Sequence, residues 1–245
     1  MIQGPARRAR LTAPLLAGLL ALASAASACA PPGSGGGGNA GNASATGRGA
    51  LPPQDSVLAR ASRGREKGAA GARVSVVEIS DFQCPYCRQF FEDTYRRFDS
   101  AYVQTGKVKL VYINLPLPNH NEAFGAAEAA MCAGAQGKFW EMHDRLFASQ
   151  REWGGQADAA QRFARMALEL QLDPAAYRDC VDNDRTAPLI LNDAMQATGA
   201  RVNGTPSFIV NRTQRLDGAV TFEALAAAVD AALAAPAAPA APPAP

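Results

Sequence analysis

The chain has 245 residues, of which 48% are hydrophobic and 19% are charged, and this balance excludes a largely disordered protein. Its formal net charge is +2, but residues 74–234 carry 15 basic and 20 acidic side chains. A mildly acidic region without a basic stripe is not typical of a protein that binds nucleic acid, so we expect no nucleic-acid partner.

The N-terminal segment, residues 1–28, has the form of a secretory signal peptide. Arginines precede an apolar stretch over residues 11–25, and small residues lead directly to Cys29. A cysteine in this position is typical of bacterial lipoproteins, so we expect Cys29 to be lipidated and to anchor the protein to a membrane. Simple cleavage after Ala28 is the alternative. In either case we expect an extracytoplasmic protein, in the periplasm or at the cell surface, where disulfides persist.

Two segments are too rich in glycine, alanine and proline to bury a core. Residues 29–71 are predicted to be a flexible tether, and residues 235–245 a disordered Ala/Pro tail. The remaining stretch, residues 72–234, is long enough for one hydrophobic core.

Within that stretch, the spacing of apolar residues predicts the elements in chain order. A strand over residues 73–80 precedes a helix that ends near residue 104, and a second strand follows over residues 107–115. A long helical block comes next, and then a strand over residues 207–210, a short hairpin partner and a last helix. This order predicts an α/β fold, in which a βαβ unit and a ββα unit form a mixed sheet with helices on both faces.

The chemistry is concentrated in a C-x-x-C motif, formed by Cys84 and Cys87 at the junction of the first strand and the first helix. At a helix N-terminus, unpaired N–H groups and the helix dipole stabilise a thiolate, which makes Cys84 a good nucleophile and a good leaving group in thiol–disulfide exchange. Cys87 lies one turn inside the helix, and Pro85 suits the first turn. We therefore interpret Cys84 as the exposed nucleophile and Cys87 as the resolving thiol.

A structural zinc site is the alternative for these cysteines, with Cys132 and Cys180 completing four thiolates. Those two cysteines stand 48 positions apart and lack the paired spacing of zinc ligands. The pattern therefore favours a redox dithiol, and we expect no metal and no cofactor.

A second informative motif is Gly204-Thr205-Pro206, directly before a predicted strand. Proline removes a hydrogen-bond donor at the entry to a sheet, so it is unusual there. A cis peptide bond is one explanation, and an ordinary trans turn is the alternative.

Three segments together resemble the DsbA-like thiol–disulfide oxidoreductases, which have the thioredoxin fold: FQCPYCRQF (82–90), QGKFWEMHDRLF (136–147) and GTPSFIV (204–210). The resemblance covers about residues 72–234. It implies a thioredoxin-like fold in two parts, residues 72–118 and 199–234, with an all-helical subdomain inserted at residues 119–198.

The resemblance also implies how a substrate is held. Pro206 would be cis and would face the cysteine pair. The backbone at Thr205 would pair with an extended substrate strand, with Pro85 and Tyr86 beside it.

Two further assignments follow from the resemblance and from the cysteine count. Glu78 stands six residues before Cys84, where this family keeps a buried acid that would exchange a proton with Cys87; a glutamate that reaches solvent is the alternative. A structural disulfide between Cys132 and Cys180 would tie the helical subdomain together, and two buried free thiols are the alternative.

These features predict a monomeric thiol–disulfide oxidoreductase that donates its Cys84–Cys87 disulfide to reduced or misoxidised exported proteins. A quinone-linked membrane oxidase would then reoxidise the pair. Tyr86 stands where the strongest oxidants of this family carry histidine, so we expect a less oxidising disulfide. A reductase or isomerase of the same fold is the nearest alternative, and a zinc-binding or redox-sensing module is another.

Overall fold

The computed structural model describes residues 56–236. The predicted signal peptide, the predicted lipid on Cys29, most of the predicted tether and most of the predicted tail lie outside these residues. Within residues 56–236, no helix is both long enough and apolar enough to cross a membrane.

The last part of the predicted tether, residues 56–71, is folded, so that prediction was wrong there. It contains helix α1 (Val57–Gly64) and strand β1 (Glu66–Lys67). The Ser56 hydroxyl accepts a hydrogen bond from the Ala59 N–H and caps the helix. This segment therefore belongs to the folded domain.

Long-range contacts explain why the composition of residues 56–71 gave a wrong prediction. The guanidinium of Arg65 forms a buried ion pair with Asp193, and Arg60 Nε donates to the Ala135 carbonyl oxygen at 2.9 Å. At Gly64, a Cβ atom would lie 2.6 Å from the Gly134 carbonyl oxygen, so only glycine allows this close approach. Arg60 and Arg65 thus dock the segment onto the domain, although its composition had predicted a flexible tether.

Five strands form one mixed sheet in the order β1–β3–β2–β4–β5. The four that follow β1 are β2 (Val74–Ser80), β3 (Val108–Asn114), β4 (Ser207–Val210) and β5 (Gln214–Asp217). Strands β2 and β3 run parallel, whereas each other neighbouring pair is antiparallel. The predicted α/β fold with a mixed sheet is confirmed, and β1 adds an edge strand that the sequence did not predict.

The helix after β2 begins at Pro85 and continues to Val103 through two π-helical turns. Its parts are α2 (Pro85–Phe90), a π-turn (Phe91–Tyr95), α3 (Arg96–Phe98) and a second π-turn (Asp99–Val103). Phe90, Phe91 and Phe98 are buried in the main core. We refer to these parts together as the long helix, and its extent agrees with the predicted one.

Six helices of the described chain lie between β3 and β4. They are α4 (Ala123–Gly134), α5 (Phe139–Ala148), α6 (Gln150–Trp153), α7 (Ala159–Glu169), α8 (Pro174–Asp182) and α9 (Ala187–Gly199). Helix α4 is buried along most of its length and is rich in alanine, so its neighbours can approach it closely. A disulfide joins Cys132 of α4 to Cys180 of α8, with the Cα atoms 5.8 Å apart.

Helices cover both faces of the sheet. The last helix, α10 (Phe222–Ala234), lies with the long helix on one face, where Leu225 and Val229 are fully buried. Helix α9 packs on the other face, where four buried residues form a second, smaller core: Ile79, Leu115, Ala197 and Val202. The C-terminal end of β2, which leads to the cysteine pair, is therefore enclosed from both sides.

Candidate active site

The C-x-x-C motif follows β2 and forms the N-cap and first turn of the long helix. Cys84 occupies the N-cap with extended backbone angles (φ −67°, ψ 125°), and Pro85 takes the first helical position. The Cys84 N–H donates to the Asp81 carbonyl oxygen, and the Cys84 carbonyl oxygen accepts from the Arg88 N–H, both at 3.1 Å. The sulfur of Cys84 is thereby held beside the unpaired N–H groups of the first helical turn.

Both cysteines are free thiols, but they differ in their surroundings. Cys87 is fully buried, and the Asp81 N–H donates to its sulfur at 3.5 Å. Cys84 is 3% exposed, so its predicted exposure was wrong; Tyr86, by contrast, is 62% exposed. The loop at Thr205 covers the Cys84 sulfur, and the surface next to the pair is formed by the exposed Pro85 and Tyr86.

The environment separates the acidities of the two thiols. The pKa of Cys84 is lowered to about 6. The largest cause is the hydrogen bond from the Cys87 thiol. The Thr205 side chain and the N–H groups of Cys87 and Tyr86 lower this pKa further. Burial raises the pKa of Cys87, and the neighbouring Cys84 raises it further. At neutral pH, the dithiol therefore holds its negative charge on Cys84 and its proton on Cys87.

The loop before β4 lies directly against this pair. The Thr205–Pro206 peptide bond is cis, and the Cys84 sulfur lies 3.4 Å from the Thr205 carbonyl oxygen. Antiparallel pairing of β2 with β4, which places Ser207 opposite Ile79, brings the loop to this position. Of the two alternatives at Pro206, the structure has the cis bond.

Glu78 lies on β2, the strand that leads to the cysteine pair. It is 1% exposed, so the alternative of a side chain that reaches solvent is wrong. Burial raises its pKa to about 8, against the opposing effect of the Ser80 hydroxyl. Among the described residues, its Oε2 atom has no hydrogen-bond partner. A carboxyl group with this pKa can hold or release a proton near neutral pH.

Two polar residues at this site, Asp81 and Gln150, were not predicted from the sequence. The Asp81 carboxylate accepts hydrogen bonds from the Gln83 N–H at 2.7 Å and the Leu117 N–H at 2.8 Å, and His120 Nδ1 lies 2.7 Å from it. Gln150, from the helical block, contacts the same loop. Asp81 sits next to the motif, which was an available signal, but no local pattern marks Gln150.

The other two described cysteines are bonded to each other. Because Cys132 and Cys180 form a disulfide, they cannot complete a four-thiolate zinc site with Cys84 and Cys87. Within residues 56–236, no group of three or more His, Cys, Asp or Glu side chains is arranged to hold a metal ion. The alternative of a four-cysteine zinc site therefore lacks two of its four ligands.

The sequence model of the family described as Thioredoxin matches residues 61–231, which is more than half of the chain. The chain belongs to the thioredoxin family. The match begins within α1, so this thioredoxin-family domain includes part of the segment that composition had predicted to be a tether.

Named relatives of this thioredoxin-family protein fall into two groups. It is 42% identical over 171 residues to "Na(+)/H(+) antiporter NhaA 3" of Salinispora tropica, an alignment that covers 69% of this chain and 25% of that protein. The chain thus spans about a quarter of the length of the first curated relatives it matches. It is 27% identical over 169 residues to "Probable disulfide bond formation protein D" of Bacillus anthracis, covering 68% of this chain and 76% of that protein.

A solved structure supports the same fold. Oxidised BdbD from Bacillus subtilis superposes with a TM-score of 0.64 at 20% identity, covering 70% of this chain and 94% of that one. Together with the family match and the relative named for disulfide bond formation, this fold confirms the expected resemblance of the thioredoxin-family protein to DsbA-like proteins.

Proposed function

We propose that this protein is a thiol–disulfide oxidoreductase whose reactive group is the Cys84–Cys87 pair. The observation that supports this proposal best is the asymmetry of the pair. The thiol of Cys84, at a helix N-terminus, has a pKa of about 6, whereas burial keeps the Cys87 thiol protonated. Such an asymmetry suits the exchange of one disulfide with another pair of thiols.

In the proposed direction, the oxidised pair donates its disulfide. A substrate thiolate attacks the Cys84 sulfur, the bond to Cys87 breaks, and the Cys87 sulfur takes up a proton. A second substrate thiolate then attacks the substrate sulfur of the mixed disulfide, and Cys84 leaves as a thiolate. Two electrons pass from two substrate thiols to the pair, and the low pKa of Cys84 makes it the better leaving group.

The loop before β4 is the proposed place for the substrate backbone. Within the described chain, the Thr205 N–H takes part in no hydrogen bond, and its carbonyl oxygen faces Cys84. A groove of about 260 Å³ runs beside this loop and is lined by residues that include Asn203, Pro206, Arg215 and Asp217. An extended peptide can pair with this backbone without a particular sequence, which suits unfolded substrates of many kinds.

The buried carboxyl of Glu78 is the proposed proton partner of Cys87. In its protonated form, Glu78 can supply the proton that Cys87 takes up when it leaves, because the pKa of Glu78 is about 8. When the pair is reoxidised, the carboxylate can take the proton back.

The substrates and the cellular location are also part of the proposal. The arginines, the apolar stretch and Cys29 support export and a lipid anchor. The disulfide between Cys132 and Cys180 suits a compartment in which disulfides persist. We therefore propose reduced or misoxidised exported proteins as substrates, and a quinone-linked membrane oxidase as the partner that restores the disulfide. Antiport is not proposed, because the aligned region covers only 25% of the antiporter relatives.

The deciding experiment is a measurement of the reduction potential of the Cys84–Cys87 pair. The full chain is equilibrated in glutathione buffers, and the fraction of reduced pair is read by alkylation and mass spectrometry. A potential of about −120 to −180 mV supports a disulfide donor or isomerase, whereas about −270 mV indicates a reductase. Donation to a reduced, unfolded protein is assayed in parallel. If the wild-type protein donates no faster than the Cys84→Ser variant, the proposed activity is wrong.

A further inference from the structure

Gln150 joins the helical block to the loop that carries Cys84. It is the first residue of α6 and is 6% exposed. Its side-chain Nε2 donates two hydrogen bonds, one to the Phe82 carbonyl oxygen at 2.7 Å and one to the Cys84 carbonyl oxygen at 2.9 Å. One buried amide therefore holds the backbone on both sides of Gln83.

The residue between these two carbonyls is held as well. Gln83 Nε2 donates to Glu122 Oε2 at 2.5 Å, and the Glu122 N–H donates back to Gln83 Oε1 at 2.8 Å. Glu122 Oε2 also accepts from the Gly155 N–H at 3.0 Å. Three consecutive residues before the long helix are thus each bound by the inserted helical block.

The packing around Gln150 leaves little freedom for this arrangement to shift. At Gly154, a Cβ atom would lie 3.0 Å from the Gln150 carbonyl oxygen and 3.9 Å from Gln83 Cγ. The end of α6 therefore lies close against the loop, and the side chain of Gln150 is held in a buried position.

The Cys84 carbonyl that Gln150 binds also accepts the Arg88 N–H at 3.1 Å, a hydrogen bond of the first helical turn. The turn that this hydrogen bond closes also contains the N–H groups of Tyr86 and Cys87, so its geometry decides where these groups point. Both of these N–H groups stabilise the Cys84 thiolate. Moving the Cys84 carbonyl would turn these donors away from the sulfur.

We propose that Gln150 is a positioning residue for thiol–disulfide exchange: its amide holds the Cys84 carbonyl so that the N–H groups of the first turn face the Cys84 sulfur. This inference rests on the proposed function. According to this inference, the inserted helical block helps to set the reactivity of the cysteine pair and does not only cover the pair. No proton or electron passes through Gln150.

The test compares Gln150→Leu and Gln150→Glu with the wild-type full chain. Leucine has a similar size but no donor, and glutamate has the same shape with acceptors in place of the amide donor. The matched control is Gln196→Leu, because Gln196 is exposed on α9. The pKa of Cys84 is measured from thiolate absorbance at 240 nm, and the reduction potential is measured in glutathione buffers.

We expect both Gln150 variants to raise the pKa of Cys84 by about one unit, which lowers the thiolate fraction about tenfold below that pKa. Their potential becomes more negative, because a less stable thiolate weakens the reduced form relative to the disulfide. The control variant keeps the wild-type values. Folded variants that lose stability but keep the wild-type pKa and potential would overturn the inference, because Gln150 would then only contribute to packing.

A measurement on the wild-type protein covers the case in which the variants do not fold. The Gln150 side-chain amide is followed by ¹⁵N–¹H NMR while reduced protein is titrated through the pKa of Cys84. We expect its resonances to move with this titration, and unchanged resonances contradict the inference. Exchange activity of the wild-type protein is assayed separately, so a failure of the proposed function is distinguishable from a failure of this inference.

Discussion

The sulfur of Cys84 lies 3.4 Å from the carbonyl oxygen of Thr205, although 121 residues separate the two in the chain. The contact exists because β4 pairs with β2, so that the loop before β4 meets the loop after β2. It places the sulfur that a substrate thiolate would attack against the backbone that we propose binds the substrate. The reacting sulfur and the substrate strand would therefore meet at one end of the β2–β4 pair.

The acidity of Cys84 should depend on the thiol of Cys87. The hydrogen bond from Cys87 is the largest cause of the low pKa of Cys84, about 6. We expect Cys87→Ala to raise this pKa by about one unit or more, and Cys87→Ser to raise it less, because serine keeps a hydroxyl donor. Thiolate absorbance at 240 nm measures both. Equal values in the two variants would show that the hydrogen bond is not the cause.

Replacing Tyr86 should change the potential without disturbing the core, because the side chain is 62% exposed. In Tyr86→His, a protonated imidazole next to Cys84 stabilises the thiolate and therefore the reduced form. We expect the potential to rise by about 30 mV or more, which is a tenfold change in the equilibrium with glutathione. Tyr86→Phe serves as the control and should stay near the wild-type value. A fall in the potential of Tyr86→His would contradict this prediction.

Glu78 should make the protein less stable as the pH rises. In the folded state burial raises its pKa from 4.5 to about 8. Between these values the folded state keeps a proton that the unfolded state releases, so the free energy of unfolding falls with increasing pH. We expect Glu78→Gln to remove this loss and to be more stable than wild type at pH 7, on the order of 3 kcal/mol, but not at pH 4.

Urea unfolding of the oxidised protein at several pH values measures this effect, because oxidation prevents Cys84 and Cys87 from titrating. The control is Glu92→Gln, since Glu92 is exposed on the long helix. A difference between wild type and Glu78→Gln that does not change with pH would show that Glu78 ionises normally in the folded state.

The disulfide between Cys132 and Cys180 should stabilise the fold and leave the exchange chemistry unchanged. It closes a loop across 48 positions, and chain entropy predicts a contribution of about 4 kcal/mol. We expect the Cys132→Ala/Cys180→Ala double variant to unfold at a lower urea concentration and to keep the potential of the Cys84–Cys87 pair. A potential that moves with the double variant would mean that this disulfide also shapes the active site.

The ion pair of Arg65 with Asp193 should be strongly coupled, because both side chains are buried. Asp193 Oδ2 also accepts from the Asn114 N–H and side-chain amide, at 3.1 and 2.9 Å. We expect Arg65→Met to cost about 3 kcal/mol, because it leaves the Asp193 carboxylate unpaired. Adding Asp193→Leu should recover part of this loss in urea unfolding. Additive losses in the double variant would show that the two residues act independently.

The sequence predicted the order of the elements well, for a physical reason. Strands β2 and β3 alternate buried and less buried positions over most of their length, and the long helix carries its apolar residues on one face, so local spacing reveals both. The wrong prediction for residues 56–71 also has a physical cause. Helix α1 and strand β1 are rich in charge, and their place in the fold depends on contacts such as Arg65 with Asp193, 128 residues away.

By itself, the sequence determined the cysteine pair at a strand-to-helix junction and the proline before β4, because short motifs carry their own backbone geometry. Only the tertiary structure decided the environment of these groups. It buried Glu78, covered Cys84 with Thr205, and brought Gln150 to the Cys84 carbonyl from 66 residues away. Burial raises the pKa of Cys87 and of Glu78, and the contact with Thr205 adds to the low pKa of Cys84, whose largest cause is the Cys87 thiol within the motif. Burial depends on the whole fold, so the residues next to the motif do not reveal it.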